Sequence, residues 1–157
     1  MGQIPWRVFA TFTFAWSVSD AQADENVMAF INEMERQIRS PIAFVRGDEK
    51  RFSGCGMPES PRHFHVLLTS HVALDPKLVT ATWRKFGGSG AGQDSAKVEP
   101  YNAEQRGAAY CLKFINETDG EWKFRNLDLF LPGYQPAKDK RSQRRATRNR
   151  ERASFSV

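Results

Sequence analysis

The run from Trp6 to Trp16, WRVFATFTFAW, sets Trp6, Val8, Ala10, Phe12, Phe14 and Trp16 at alternate positions, with Arg7, Thr11 and Thr13 among the residues between them. Side chains of a strand leave opposite faces in turn, so this period of two predicts a long strand with one face in a core. An aromatic face of that size needs more strands beside it and a second layer over it. The rest of the chain must supply both.

From Asp20 the period changes. Val27, Phe30, Ile31, Met34 and Ile38 fall on one stripe of an amphipathic helix, with Ser19 or Asp20 as its cap and Ser40-Pro41 as its end. Pro41 to Arg46 reads as a second strand, followed by a charged, glycine-containing connection from Gly47 to Pro61. The stretch Arg62-His63-Phe64-His65-Val66-Leu67-Leu68 then alternates again. It places His63 and His65 on one face and Phe64, Val66 and Leu68 on the other, toward the core.

Asp75-Pro76 is a helix start, a capping side chain followed by proline in the first turn. Val79, Trp83 and Phe86 recur at helical spacing until the glycine run from Gly87 to Gly92, which matches no phosphate-binding pattern and reads as a linker or flap. Ala96 to Tyr101 reads as a short strand, kept near an edge by Pro100. Asn102 to Asn116 is expected to be a helix with the apolar stripe Ala108, Cys111, Leu112 and Ile115. Arg106, Tyr110, Lys113 and Glu117 cluster on a different side of it. Trp122 to Leu131 alternates loosely, as a last strand or an irregular apolar arm. The order β, α, β, β, α, β, α, with that possible last strand, predicts an α+β fold with one mainly antiparallel sheet and helices packed against it.

The 157 residues fit one domain. No apolar run has the length of a membrane span, and the opening MGQIPWR lacks the apolar region of a secretory signal, so a cytoplasmic protein without a membrane partner is expected. Cys55 and Cys111 form no CxxC pair and are expected to be thiols. The formal charge of +5 is unevenly placed. From Lys138 onward eight basic residues oppose Asp139 and Glu151, a net of +6, whereas residues 1–137 carry about −1. We therefore divide the chain into a domain over residues 1–135 and a basic tail over residues 136–157, expected to be disordered alone and suited to a polyanion.

Two features on separate elements call for one explanation. Neutral imidazoles with a carboxylate can hold a divalent ion that grips a phosphate oxygen. A phenol with an ordinary pKa near 10 is a poor nucleophile unless a neighbouring cation favours the phenolate, and Lys113 is one helical turn from Tyr110. Together these parts suit phosphodiester transfer in which a tyrosine becomes joined to nucleic acid.

In these motifs the chain resembles the HUH endonucleases, the rolling-circle replication initiators, relaxases and single-strand transposases named for a His-hydrophobic-His signature. Phe9-Ala10-Thr11-Phe12-Thr13-Phe14 resembles the first-strand motif of the initiators, His63-Phe64-His65 the metal motif, and Tyr110-Cys111-Leu112-Lys113 the single-tyrosine Tyr-x-x-Lys motif. The resemblance spans roughly residues 6–117, with about 45 residues between the second histidine and the tyrosine. It implies a five-stranded antiparallel sheet with the histidines on a central strand and the tyrosine helix near them. It also implies Mg²⁺ or Mn²⁺, single-stranded DNA with an origin or hairpin site, a 5′-phosphotyrosine intermediate and a separate host helicase.

Family members usually add an acidic third ligand upstream of the histidines; Glu49 is favoured here, with Asp48 next and Glu59 in the following loop. His71 shares the parity of His65, but six residues of strand span roughly 20 Å, too far for one ion. Arg7, Thr11 and Thr13 on the non-core face, Arg106, and Arg141, Arg144 and Arg145 of the tail are the candidate DNA contacts. Because Tyr110 and Lys113 lie off their helix's apolar stripe, one edge of that helix is expected to reach the metal while the stripe packs on residues 122–131. A transposase or relaxase of the same chemistry, or a non-catalytic single-strand binding module, fits the same residues.

Overall fold

The alternation that opens the chain does form a strand, and its ends are set by its neighbours. In the computed structural model, which describes residues 4–48, 63–88, 95–105 and 122–133, β1 spans Val8–Thr13. It is followed by α1 (Asp20–Ile38), β2 (Ile42–Asp48), β3 (His63–Ser70), α2 (Pro76–Gly87), β4 (Ala96–Pro100), a 3₁₀ turn at Ala103–Gln105, β5 (Trp122–Arg125) and a second 3₁₀ turn at Leu127–Phe130. The strands form one five-stranded sheet in the order β4-β1-β3-β2-β5, with every neighbouring pair antiparallel. The fold is α+β, and β3 is its central strand.

Local chemistry explains the helix boundaries. Ser19 caps α1 by accepting a hydrogen bond from the Gln22 amide at 3.2 Å, and Arg39 ends it in the left-handed conformation at φ 53°. Asp75 caps α2 by accepting from the Lys77 amide at 2.9 Å, with Pro76 in the first turn. The apolar stripes of both helices bury against one face of the sheet, where Val8, Ala10, Phe12, Phe64, Val66, Leu68, Ile42 and Phe44 meet Val27, Phe30, Ile31, Met34, Val79 and Trp83. The centre is aromatic. Trp83 stacks on Phe12 at 4.5 Å between centroids and takes edge contacts from Phe14, Phe30 and Phe64. Such pairs each add about 0.5–1.5 kcal/mol beyond the area they bury.

The opposite face is divided along its length. Toward the Ser70 end of β3, Ile4, Trp6, Ala43, Val45, Leu67 and Phe130 form a second apolar cluster, joined by Phe9, Tyr101, Leu127 and Leu129. The histidines stand at the other end of the same strand.

Three sequence expectations change. The first strand is shorter than Trp6–Trp16, because β4 ends at Pro100, opposite Val8, and β3 begins at His63, opposite Thr13. Beyond those limits Trp6 joins the second cluster, while Trp16 is 51% exposed. The last apolar stretch is a four-residue strand, β5, followed by a 3₁₀ turn that carries Phe130 into the second cluster. Asn126, at φ 58°, makes the break and donates from its side chain to the Ile42 carbonyl at 3.0 Å. Pro41 stands outside β2, which runs on to Asp48 instead of stopping at Arg46. The expected edge position of Ala96–Pro100 is observed. Among the described residues, no helix is long and apolar enough to cross a membrane.

Candidate metal and nucleic-acid site

The register of the three central strands builds the site. His63 lies opposite Thr13 of β1; His65 lies between Thr11 of β1 and Gly47 of β2. Both histidines therefore share the face away from α1 and α2, as their parity predicts, while Phe64 between them is fully buried in the main core. Their rings are 5.9 Å apart between centroids and inclined at 81°. His63 is half-buried and His65 only 6% exposed.

His65 is held from β1 in two ways. Thr11 Oγ1 lies 2.9 Å from His65 Nδ1, and the Phe9 ring is parallel to the imidazole within 3° at a centroid distance of 5.9 Å. Thr11 thus has a task at the histidine that sequence reasoning missed when it assigned the residue to DNA. Phe9, named only as part of the first-strand motif, was given no role at the site. Its odd position in the alternating run put it on the histidine face, and no sequence pattern disclosed which residue of β3 it would meet.

The register also brings a cation nearby. Lys97 of β4 is opposite Thr11, on the histidine face, and pairs with Glu99 at 3.1 Å with its side chain 74% exposed. Because Gly47 is the β2 residue opposite His65, that strand presents no side chain at this register position.

The acidic candidates separate. Asp48 belongs to the other face of the sheet. It alternates with Gly47, is buried, and receives two hydrogen bonds from Arg46, which itself pairs with Asp24 of α1. The second-choice third ligand is thus a structural ion-pair partner, turned away from the histidines. Glu49 and Glu59 lie outside the described residues, as do Tyr110, Lys113, Arg106, Arg141, Arg144 and Arg145. Among the described residues no group of three His, Cys, Asp or Glu side chains could hold an ion. The donors in view, two adjacent imidazoles, fit two positions of a mixed nitrogen and oxygen divalent site.

Arg7 is exposed, and its guanidinium Nε donates to the Ser70 carbonyl at 3.0 Å. It stands four residues from Thr11, about 13 Å along the strand, so it is not brought to the histidines. Thr13 is beside His63. His71 follows β3 and stacks on Phe130 at 4.4 Å, which accounts for it outside any metal site.

Comparison of the chain with protein-family models, curated proteins and solved structures finds no match.

Proposed function

We propose that the chain is a single-tyrosine HUH endonuclease, a divalent-metal-dependent nickase and strand-transferase acting on single-stranded DNA, most like an initiator of rolling-circle replication. The observation that carries this reading is the pairing of His63 and His65 on the central strand of a five-stranded antiparallel sheet, on the face away from its helices. That arrangement agrees with the resemblance and gives the two imidazoles the same side from which to reach a phosphate.

His63 and His65 would supply the nitrogen ligands of one Mg²⁺ or Mn²⁺, with Glu49 as the carboxylate; its sequence parity matches that of Gly47. An ion held there would supply Lewis-acid stabilisation of the charge that develops on the phosphate. The Tyr110 oxygen attacks phosphorus and loses its phenolic proton to solvent. The bond from phosphorus to the 3′ oxygen breaks, and that oxygen takes up a proton. The products are a 5′-phosphotyrosine and a 3′-hydroxyl; attack by a DNA hydroxyl reverses the step. Lys113 favours the phenolate or holds the phosphate. Arg7, Thr13 and Arg106 line the strand's path, and Arg141, Arg144 and Arg145 hold phosphates in a salt-sensitive way.

The test is incubation of labelled single-stranded oligonucleotides with Mn²⁺, followed by denaturing electrophoresis. The expected result is an SDS-resistant adduct that Tyr110→Phe abolishes and that His63→Ala or EDTA greatly reduces. An undiminished adduct from Tyr110→Phe would remove the nucleophile assigned here. Tight binding by wild type with no adduct across diverse origin-like sequences would replace the enzyme with a binding module.

A further inference from the structure

One contact at the site bears directly on which nitrogen of His65 is available. A neutral imidazole carries its proton on one nitrogen and a lone pair on the other. If the Thr11 hydroxyl donated to Nδ1, the proton would sit on Nε2, and neither nitrogen could ligate an ion while the contact lasted. If Nδ1–H donates to Thr11 Oγ1 instead, the Nε2 lone pair is directed away from the contact, ready for a cation. Metal-bound histidines are commonly fixed in this way, their second nitrogen donating to an oxygen.

We propose that Thr11 is the positioning residue of the metal site: it accepts the Nδ1–H of His65 and so fixes the tautomer in which Nε2 is the ligating nitrogen. The choice of this tautomer and the ligating role of Nε2 both rest on the metal-dependent reading above, since the contact itself suits either direction of donation. Three observations show that Thr11 and His65 are held together. Thr11 and His65 are register partners on neighbouring strands, so the backbone ladder itself sets their separation. The distance between Oγ1 and Nδ1 is 2.9 Å. The Phe9 ring, two residues earlier on the same face of β1, lies parallel to the imidazole within 3°. The hydroxyl therefore fixes the ring's rotation and proton while the aromatic ring fixes its plane.

The experiment has two readouts. The first is long-range ¹H–¹⁵N spectroscopy of the metal-free protein with labelled histidine rings, at mildly alkaline pH. The expected result for His65 is a protonated Nδ1 and an unprotonated Nε2; a proton on Nε2 overturns the proposal. The second is Mn²⁺ affinity, followed by the spin resonance of the unbound ion. Thr11→Val keeps the shape of the side chain and lacks the hydroxyl, and should weaken binding about 10–100-fold. Thr11→Ser should restore it, and far-UV circular dichroism should show that both variants are folded. Affinity unchanged in a folded Thr11→Val protein overturns the positioning role. Absence of Mn²⁺ binding by wild type overturns the ligating role and the metal-dependent reading together, while the ring spectrum still decides the hydrogen bond.

Discussion

Arg46 and Asp48 occupy alternate positions of β2 and face the helices, with Arg46 Nε and Nη2 both donating to the Asp48 carboxylate. The guanidinium is 1% exposed and lies 5.0 Å from the Phe64 ring centre. Its Nη2 is also 2.9 Å from Asp24 of α1, and Asp24 in turn accepts from Lys123 of β5. One buried cation thus ties a helix and the sheet directly beneath the histidine strand. Removing one member of a buried pair leaves a desolvated charge behind, at a cost of about 3–5 kcal/mol. Arg46→Met should cost about 3–5 kcal/mol, because the Asp48 carboxylate it leaves is buried, whereas Asp24 is partly in water and keeps Lys123. The midpoint of urea unfolding measures it.

The face on which Asp48 lies separates stability from metal binding. Asp48→Asn should lower the urea midpoint and leave Mn²⁺ affinity within about twofold of wild type, a change of less than about 0.5 kcal/mol. Glu49→Gln should do the reverse. Loss of Mn²⁺ binding in Asp48→Asn without loss of stability would contradict the assignment of Asp48 to the ion pair.

Asp24 makes the ion pair sensitive to acid. Burial raises its pKa, but the hydrogen bond from Lys123 and the charge of Arg46 outweigh burial and hold the carboxyl below its ordinary 3.8. A depressed pKa in the folded state means that the unfolded chain takes up the proton first. The stabilisation is therefore complete above the ordinary value and is lost as pH falls through the folded one. Asp24→Asn should be less stable than wild type at pH 7, and the gap in urea midpoints should close as pH falls below about 4.

Gly87, the last residue of α2, offers a test of packing. A Cβ there would meet the indole of Trp83 at 2.3–2.4 Å, and that indole is fully buried and donates to the Thr13 carbonyl at 3.4 Å. Replacing glycine by alanine within a helix ordinarily stabilises by about 0.5–1 kcal/mol. Here Gly87→Ala should instead destabilise by about 1–3 kcal/mol, because the ring that must move is wedged among Phe12, Phe14, Phe30 and Phe64. A lower melting temperature with altered tryptophan fluorescence is the expected signature.

The sequence was most legible where a periodic pattern met a capping residue. The stripes of α1 and α2, with Ser19 and Asp75 at their starts, were readable because each signal is local. The sharing of one face by His63 and His65 was equally readable, since it follows from parity alone. Register was not. The meeting of Thr11 with His65 depends on how β1 and β3 slide against each other, and 54 residues separate the two. Arg46 misled for a different reason. A charged residue closing an apolar run reads as the end of a strand, whereas it lies inside β2 because Asp24 and Asp48 neutralise it in the core. Trp6 and Trp16 continue the alternation in sequence but not in space, because β4 ends opposite Val8 and β3 begins opposite Thr13.

The strand order carries a consequence for synthesis. The three inner strands, β1, β3 and β2, come from the first part of the chain, and the two rims, β4 and β5, follow later. Once Ser70 has left the ribosome, the described residues that flank His65 in the sheet have been made: Phe9 and Thr11 on one side, and Gly47 on the other. Chains are made at about 5–20 residues per second, so several seconds pass before β5 and the residues after it emerge. The strand pairings that set the imidazole pair are thus encoded ahead of the rims, which the ribosome supplies afterwards.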